Sequence, residues 1–70
     1  MNAPRQEILG LLAELSEADP ELRLGQLIAN LATLARGTKP EAIWDTEDEE
    51  LIAAAHRLLG HYKGRQEKVA

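Results

Sequence analysis

The chain has 70 residues, 12 of them acidic and 8 basic, for a formal net charge of −4, with 44% apolar residues, 3% aromatic residues and no cysteine. A chain of this length supports one domain that buries about 60% of its extended-chain surface, so a second subunit is an expectation from size alone. The lack of cysteine excludes disulfides, Cys-ligated zinc, iron–sulfur clusters and thiol nucleophiles, and it suits a reducing compartment.

The charge is unevenly spread. Residues 1–51 carry 4 basic and 11 acidic groups, a net −7, and residues 52–70 carry 4 basic and 1 acidic, a net +3. At the start of the chain, Met1-Asn2-Ala3-Pro4-Arg5 leads into an apolar stretch broken by Gln6, Glu7 and Glu14. That is neither a signal-peptide core nor the ~20 apolar residues a membrane span needs, so a cytoplasmic protein is expected.

The first helix is expected over about residues 4–17. Pro4 suits its first turn, and Ile8, Leu11, Leu12 and Leu15 follow the i, i+3, i+4, i+7 pattern. Asp19-Pro20 then reads as an N-cap followed by a residue without an amide to orphan, with Glu21 favourable to the helix dipole. A second helix is expected from there through Leu22, Leu24, Leu27, Ile28, Leu31, Leu34 and Ala35, closed by Arg36 and Gly37. It reads as the central element. Gly25, Ala29 and Ala32 form a small-residue stripe on its flank. Because Gly inside a helix costs roughly 1 kcal/mol relative to Ala, a close backbone contact is expected there, either a helix crossing within the monomer or a homodimer contact.

Residues 38–45 read as a connector in which Pro40 to Trp44 can make a short helical turn. Thr46-Glu47-Asp48-Glu49 reads as a capping box, with Thr46 accepting from the Glu49 amide and the Glu49 carboxylate reaching back. A third main helix follows over about 47–62, with Leu51, Ile52, Ala55, Leu58, Leu59 and Tyr62 on one face. Gly60 and Gly64 weaken its end. The expectation is an all-α, compact three-helix domain over residues 1–62, a short helical turn around 40–45, and a flexible C-terminal tail over 63–70. No segment shows the period-two alternation of a strand.

Chemical motifs are scarce. The acidic run Asp45, Glu47, Asp48, Glu49 and Glu50 lacks the glycine of a calcium loop, so it reads as a dipole-favouring helix start or an acidic docking patch. His56 and His61 are five apart, not the i, i+4 spacing that puts two imidazoles on one helix face. The single serine, Ser16, lacks a nucleophile elbow, and the glycines near the end lack the Lys-Ser/Thr pair of a phosphate loop. No metal, cofactor or catalytic residue is therefore assigned. Trp44 is expected to close one end of an aliphatic core without phenylalanine, or, if exposed, to anchor an interface. Arg23, Gln26, Asn30 and Thr33 form a polar stripe on the second helix, where Gln26 and Asn30 can bond the connector backbone.

Two resemblances follow. Leu31-Ala32 with Arg36-Gly37-Thr38-Lys39-Pro40-Glu41-Ala42-Ile43-Trp44 resembles the turn and recognition-helix start of helix-turn-helix repressors. That resemblance implies a recognition helix from near Pro40 carrying Glu41, Asp45, Glu47 and Asp48, which phosphates would repel. Asp19-Pro20-Glu21-Leu22-Arg23-Leu24-Gly25-Gln26-Leu27-Ile28-Ala29-Asn30-Leu31, with Ile43-Trp44 and Glu47-Asp48-Glu49-Glu50-Leu51-Ile52, resembles a family of small uncharacterised bacterial proteins. It implies the helical layout and no particular activity.

The sequence reading is therefore a small acidic, non-catalytic protein-interaction or regulatory protein that self-associates as a homodimer. Its expected interaction residues are Gly25, Ala29, Ala32, Trp44, Asp45, Glu47, Asp48, Glu49 and Glu50. The alternatives are an inhibitor or antitoxin-like binder of a basic partner and, against its charge, a helix-turn-helix regulator.

Overall fold

The computed structural model describes residues 2–68, with side chains placed for residues 2–63. Its helices are α1 (Ala3–Ala18), α2 (Leu24–Arg36), α3 (Ala42–Asp45) and α4 (Asp48–Lys68). The fold is all-α, with no strand among the described residues. Three long helices and one short turn at 42–45 match the sequence pattern. The backbone of α4 stays helical through Gly60 and Gly64 to Lys68, beyond the expected end at residue 62. The last two residues of the expected tail, 69 and 70, lie outside the described residues.

At each junction the chain obeys local hydrogen-bonding needs. Asn2 caps α1, its Oδ1 accepting from the Arg5 amide at 2.9 Å, and Pro4 sits in the first turn. Asp19 is not the N-cap of α2, as its sequence context suggested. Its amide donates to the Leu15 carbonyl and closes α1, and its own carbonyl accepts from the Leu22 amide at 3.2 Å across a turn holding Pro20. Proline's fixed φ serves the second position of a turn as well as the first turn of a helix, and the turn prevails. The second helix therefore starts at Leu24, where the Arg23 amide donates to Gln26 Oε1 at 3.1 Å. Gln26 thus bonds the entry to its own helix, not the connector.

The capping box before α4 is displaced by one residue. Thr46 closes α3, with both its amide and its hydroxyl donating to the Ala42 carbonyl. The reach-back bond is made by Glu50, whose carboxylate accepts from the Glu47 amide at 2.9 Å. Because α3 claims Thr46, the next residue has to start α4.

The hub of the fold is α4, not α2. Both α1 and α2 pack along α4 and meet each other only over a short stretch. Two bonds fix the α1–α4 register: Arg5 to Asp48 near one end and Tyr62 to Asp19 near the other, each joining residues 43 apart in sequence. Equal offsets at both ends mean that the two helices run parallel. Asp48, Ala55 and Tyr62 are seven apart and so share the stripe of α4 that faces α1. Arg36, at the end of α2, bonds Glu50 in the first turns of α4, so α2 runs antiparallel to it. Between the flanking helices, α4 presents Ala54 and Ala55, at 2% and 0% exposure. The core is completed by Ile8, Leu11 and Leu15 of α1, Leu27 and Leu31 of α2, and Leu59. No buried side-chain polar atom among the described residues lacks a partner.

Two glycines in or beside α2 differ in their demands. Gly37 ends the helix at φ 96° and ψ −169°, a region in which side chains are strained. Gly25 falls in the first turn of the helix, which starts later than expected, and is exposed, and a Cβ there would meet nothing within 4 Å. The close contact expected at Gly25 within the monomer is therefore not made. Gly37→Ala is expected to lose about 1–3 kcal/mol of stability, and Gly25→Ala to gain up to about 1 kcal/mol. Urea unfolding of the two variants should shift in opposite directions.

Candidate interaction surfaces

Exposed apolar side chains border several hollows of the described surface, two of which lie on the α1 side of the molecule. The first is a cleft of about 230 Å³ between α1 and α2. Ile8, Leu31 and Leu51 form its floor and Leu9, Leu12 and Ile28 its walls, while the Arg5–Asp48 pair stands at one end. It stays open because both flanking helices are held by α4 rather than by each other. Leu9 is 47% exposed and Leu24 57%. The sequence placed Leu24, Ile28 and Leu34 on the buried face of α2. With α4 as its main neighbour, α2 buries the narrow stripe of Leu27 and Leu31 and leaves Ile28 and Leu34 half-covered on either side. Leu34 borders a separate hollow with Arg57, Leu58 and His61. Leu9 carried no sequence signal beyond being an apolar residue next to the predicted core stripe.

The second surface lies where α3 meets α4. Trp44 does not close the core: it is 70% exposed, and Ile43 beside it is 52% exposed. The reason is local. A four-residue helix offers one inward position, and Ala42 takes it at 5% exposure. Trp44 instead lines an open groove of about 330 Å³ with Asn2, Pro4 and Arg5 of the α1 start and the residues from Asp45 to Glu49.

The acidic run is divided by function. Asp48 accepts from Arg5 Nε at 2.9 Å and from Nη2 at 3.5 Å. Glu50 accepts from Arg36 Nη2 at 2.9 Å and from Nε at 3.0 Å. These two carboxylates tie α4 to α1 and α2. Asp45, Glu47 and Glu49 are exposed, and their side chains have no hydrogen-bond or ion-pair partner among the described residues. Gly25 is exposed, Ala29 half-buried and Ala32 buried in the core at 2% exposure, so the small-residue stripe of α2 is not one continuous exposed face.

The remaining candidate groups are scattered. The imidazole of His56 lies 3.3 Å from Glu7 Oε2 on the exposed flank of α1 and α4, and the His61 ring meets Tyr62 edge-on at 6.3 Å between centroids. No group of three or more potential metal ligands occurs among the described residues. No described helix is long and apolar enough to cross a membrane. The segment resembling a recognition helix is broken at Thr46, so Glu41 and Asp45 belong to the α3 turn and Asp48 to α4. Comparisons of the chain with protein-family models, curated proteins and solved structures gave no match.

Titration reports on the α2–α4 tie. The hydrogen bonds from Arg36 and, after them, the Glu47 amide hold the Glu50 carboxyl below its ordinary value of 4.5. Arg36 is raised in turn, first by its hydrogen bonds to Glu50 and then by that carboxylate's charge. A depressed carboxyl binds fewer protons in the folded state, so its contribution is present above the ordinary value and lost as pH falls through the folded value. Arg36 is exposed and Glu50 half-buried, so the effect is small and screened by salt. Glu50→Gln is expected to be less stable than the parent at pH 7, with the gap closing below about pH 4.5. Thermal melts of both proteins from pH 7 to pH 3 measure the convergence.

Proposed function

We propose that this chain is a small, non-catalytic protein-interaction module of the cytoplasm that associates with a second copy of itself. The observation that carries the reading is the open apolar cleft between α1 and α2, with Leu9 and Ile28 on its walls and Leu24 exposed nearby on α2. Full burial of one Leu or Ile side chain contributes about 1.5–3 kcal/mol, and the monomer leaves this part of the gain unrealised. A second copy presenting the same cleft about a twofold axis covers both sets of side chains at once. The thin core supports the same reading, because a chain of this size gains much from a partner surface.

Sedimentation at tens of micromolar should give about twice the chain mass. Leu9→Glu, which places a charge on an exposed wall position, should return the protein to monomer with its helical circular dichroism unchanged. Leu34→Glu, on the opposite flank of α2, should leave the dimer intact. A parent protein that sediments as a monomer under these conditions would remove the reading.

A further inference from the structure

From the α3–α4 corner we infer a second binding surface, independent of the cleft, on which exposed Trp44 and the carboxylates beside it dock a cationic, arginine-bearing polypeptide segment of another protein. The starting point is the indole. Trp44 is the only tryptophan of the chain, lines the groove and is 70% exposed. Large exposed aromatic side chains of this kind are enriched among residues that dominate binding energy.

The flanking charge selects the occupant. Asp45, Glu47 and Glu49 line the same groove as Trp44 and have no side-chain partner among the described residues, while the groove's cation, Arg5, is already bonded to Asp48. The groove therefore presents the indole beside four carboxylates and one cation. Arg36 lies within electrostatic reach of Asp45 and Glu47 but gives its hydrogen bonds to Glu50, so the donors these carboxylates can accept from are still to be supplied. An arginine satisfies both, because its planar guanidinium stacks on an indole while its N–H groups bond carboxylates. An acidic or nucleic-acid partner would meet repulsion from the same three groups.

The walls are held in place before any partner arrives. Thr46 bonds the Ala42 carbonyl twice and fixes the elbow between α3 and α4. The Arg5–Asp48 pair and the Asn2 cap hold the α1 side. A groove with fixed walls loses less conformational entropy on binding.

Since Trp44 is the only tryptophan, fluorescence excited selectively at the indole, beyond the absorption of Tyr62, reads this site alone. The full chain is titrated with a blocked hexapeptide alternating arginine and alanine, and with the same peptide carrying glutamine or lysine in place of arginine. The expected result is a saturable change in emission with the arginine peptide at low salt. Affinity should weaken at least tenfold at 0.5 M salt, be several-fold lower for the lysine peptide and be absent for the glutamine peptide. Asp45→Asn/Glu47→Gln/Glu49→Gln should weaken the arginine peptide at least tenfold, with helicity checked by circular dichroism. No saturable change, equal response to the glutamine or lysine peptide, or unchanged affinity in the triple variant would overturn the proposal. The peptide comparisons use the parent protein, so they decide the matter even if the triple variant misfolds. An emission shift on dilution of the chain without peptide would mean that another copy occupies the groove, which also overturns it. Leu9→Glu should bind the arginine peptide like the parent, which separates this surface from self-association through the cleft.

Discussion

The packing depends on the two alanines at the middle of α4. Ala54 and Ala55 lie about 100° apart on the helix, and each has only a methyl group to place between α4 and its neighbours. Small side chains at such positions allow close approach of helix axes, and both are almost fully covered. From this follows the arrangement of the rest: α1 in parallel register with α4, α2 antiparallel to it, and little direct contact between α1 and α2. The apolar cleft is what remains when two helices are attached to one hub.

Charge serves the architecture at the edges of that hub. Arg5–Asp48 and Arg36–Glu50 join α4 to each neighbour near its first turns, and Tyr62–Asp19 pins α1 again further along. Exposed ion pairs add little stability individually. Their position matters more, since the Arg5 and Tyr62 bonds share one register and the Arg36 bond sets the direction of α2. The same acidic run thus carries two kinds of carboxylate: Asp48 and Glu50, which close the fold, and Asp45, Glu47 and Glu49, which face solvent beside Trp44.

Among the described residues the core contains ten buried apolar side chains, four of them the alanines Ala32, Ala42, Ala54 and Ala55. Against that, six large apolar side chains among the described residues stay exposed, distributed over the cleft, the far flank of α2 and the α3 turn. Apolar atoms on a protein surface are ordinary when scattered. Here they border hollows of differing electrostatic setting: the α1–α2 cleft is almost wholly apolar apart from a neutralised pair, the Leu34 hollow is flanked by Arg57 and His61, and the Trp44 groove is acidic. The proposed self-association and the proposed arginine site thus fall on surfaces of different character.

Helical periodicity and turn residues were enough to place the all-α class, the number of long helices, the α3 turn and the buried stripe of α1, because 3.6-residue spacing and proline or glycine punctuation act locally. Ile8, Leu11, Leu15 and Leu59 are buried as that spacing requires. What lay beyond the sequence was competition between local signals and the choice of neighbours. Asp19-Pro20 satisfies a turn or a helix start equally well, and only the Tyr62 hydroxyl and the α1 end decide for the turn. Thr46 fits two helix junctions, and α3 takes it. The apolar arc of α2 states how much surface can be buried; α4, as its main neighbour, covers only the middle of it. Trp44 is outside for a tertiary reason too: Ala42 occupies the one inward place on a single-turn helix, and hydrophobicity alone cannot specify which residue of a short turn faces the core.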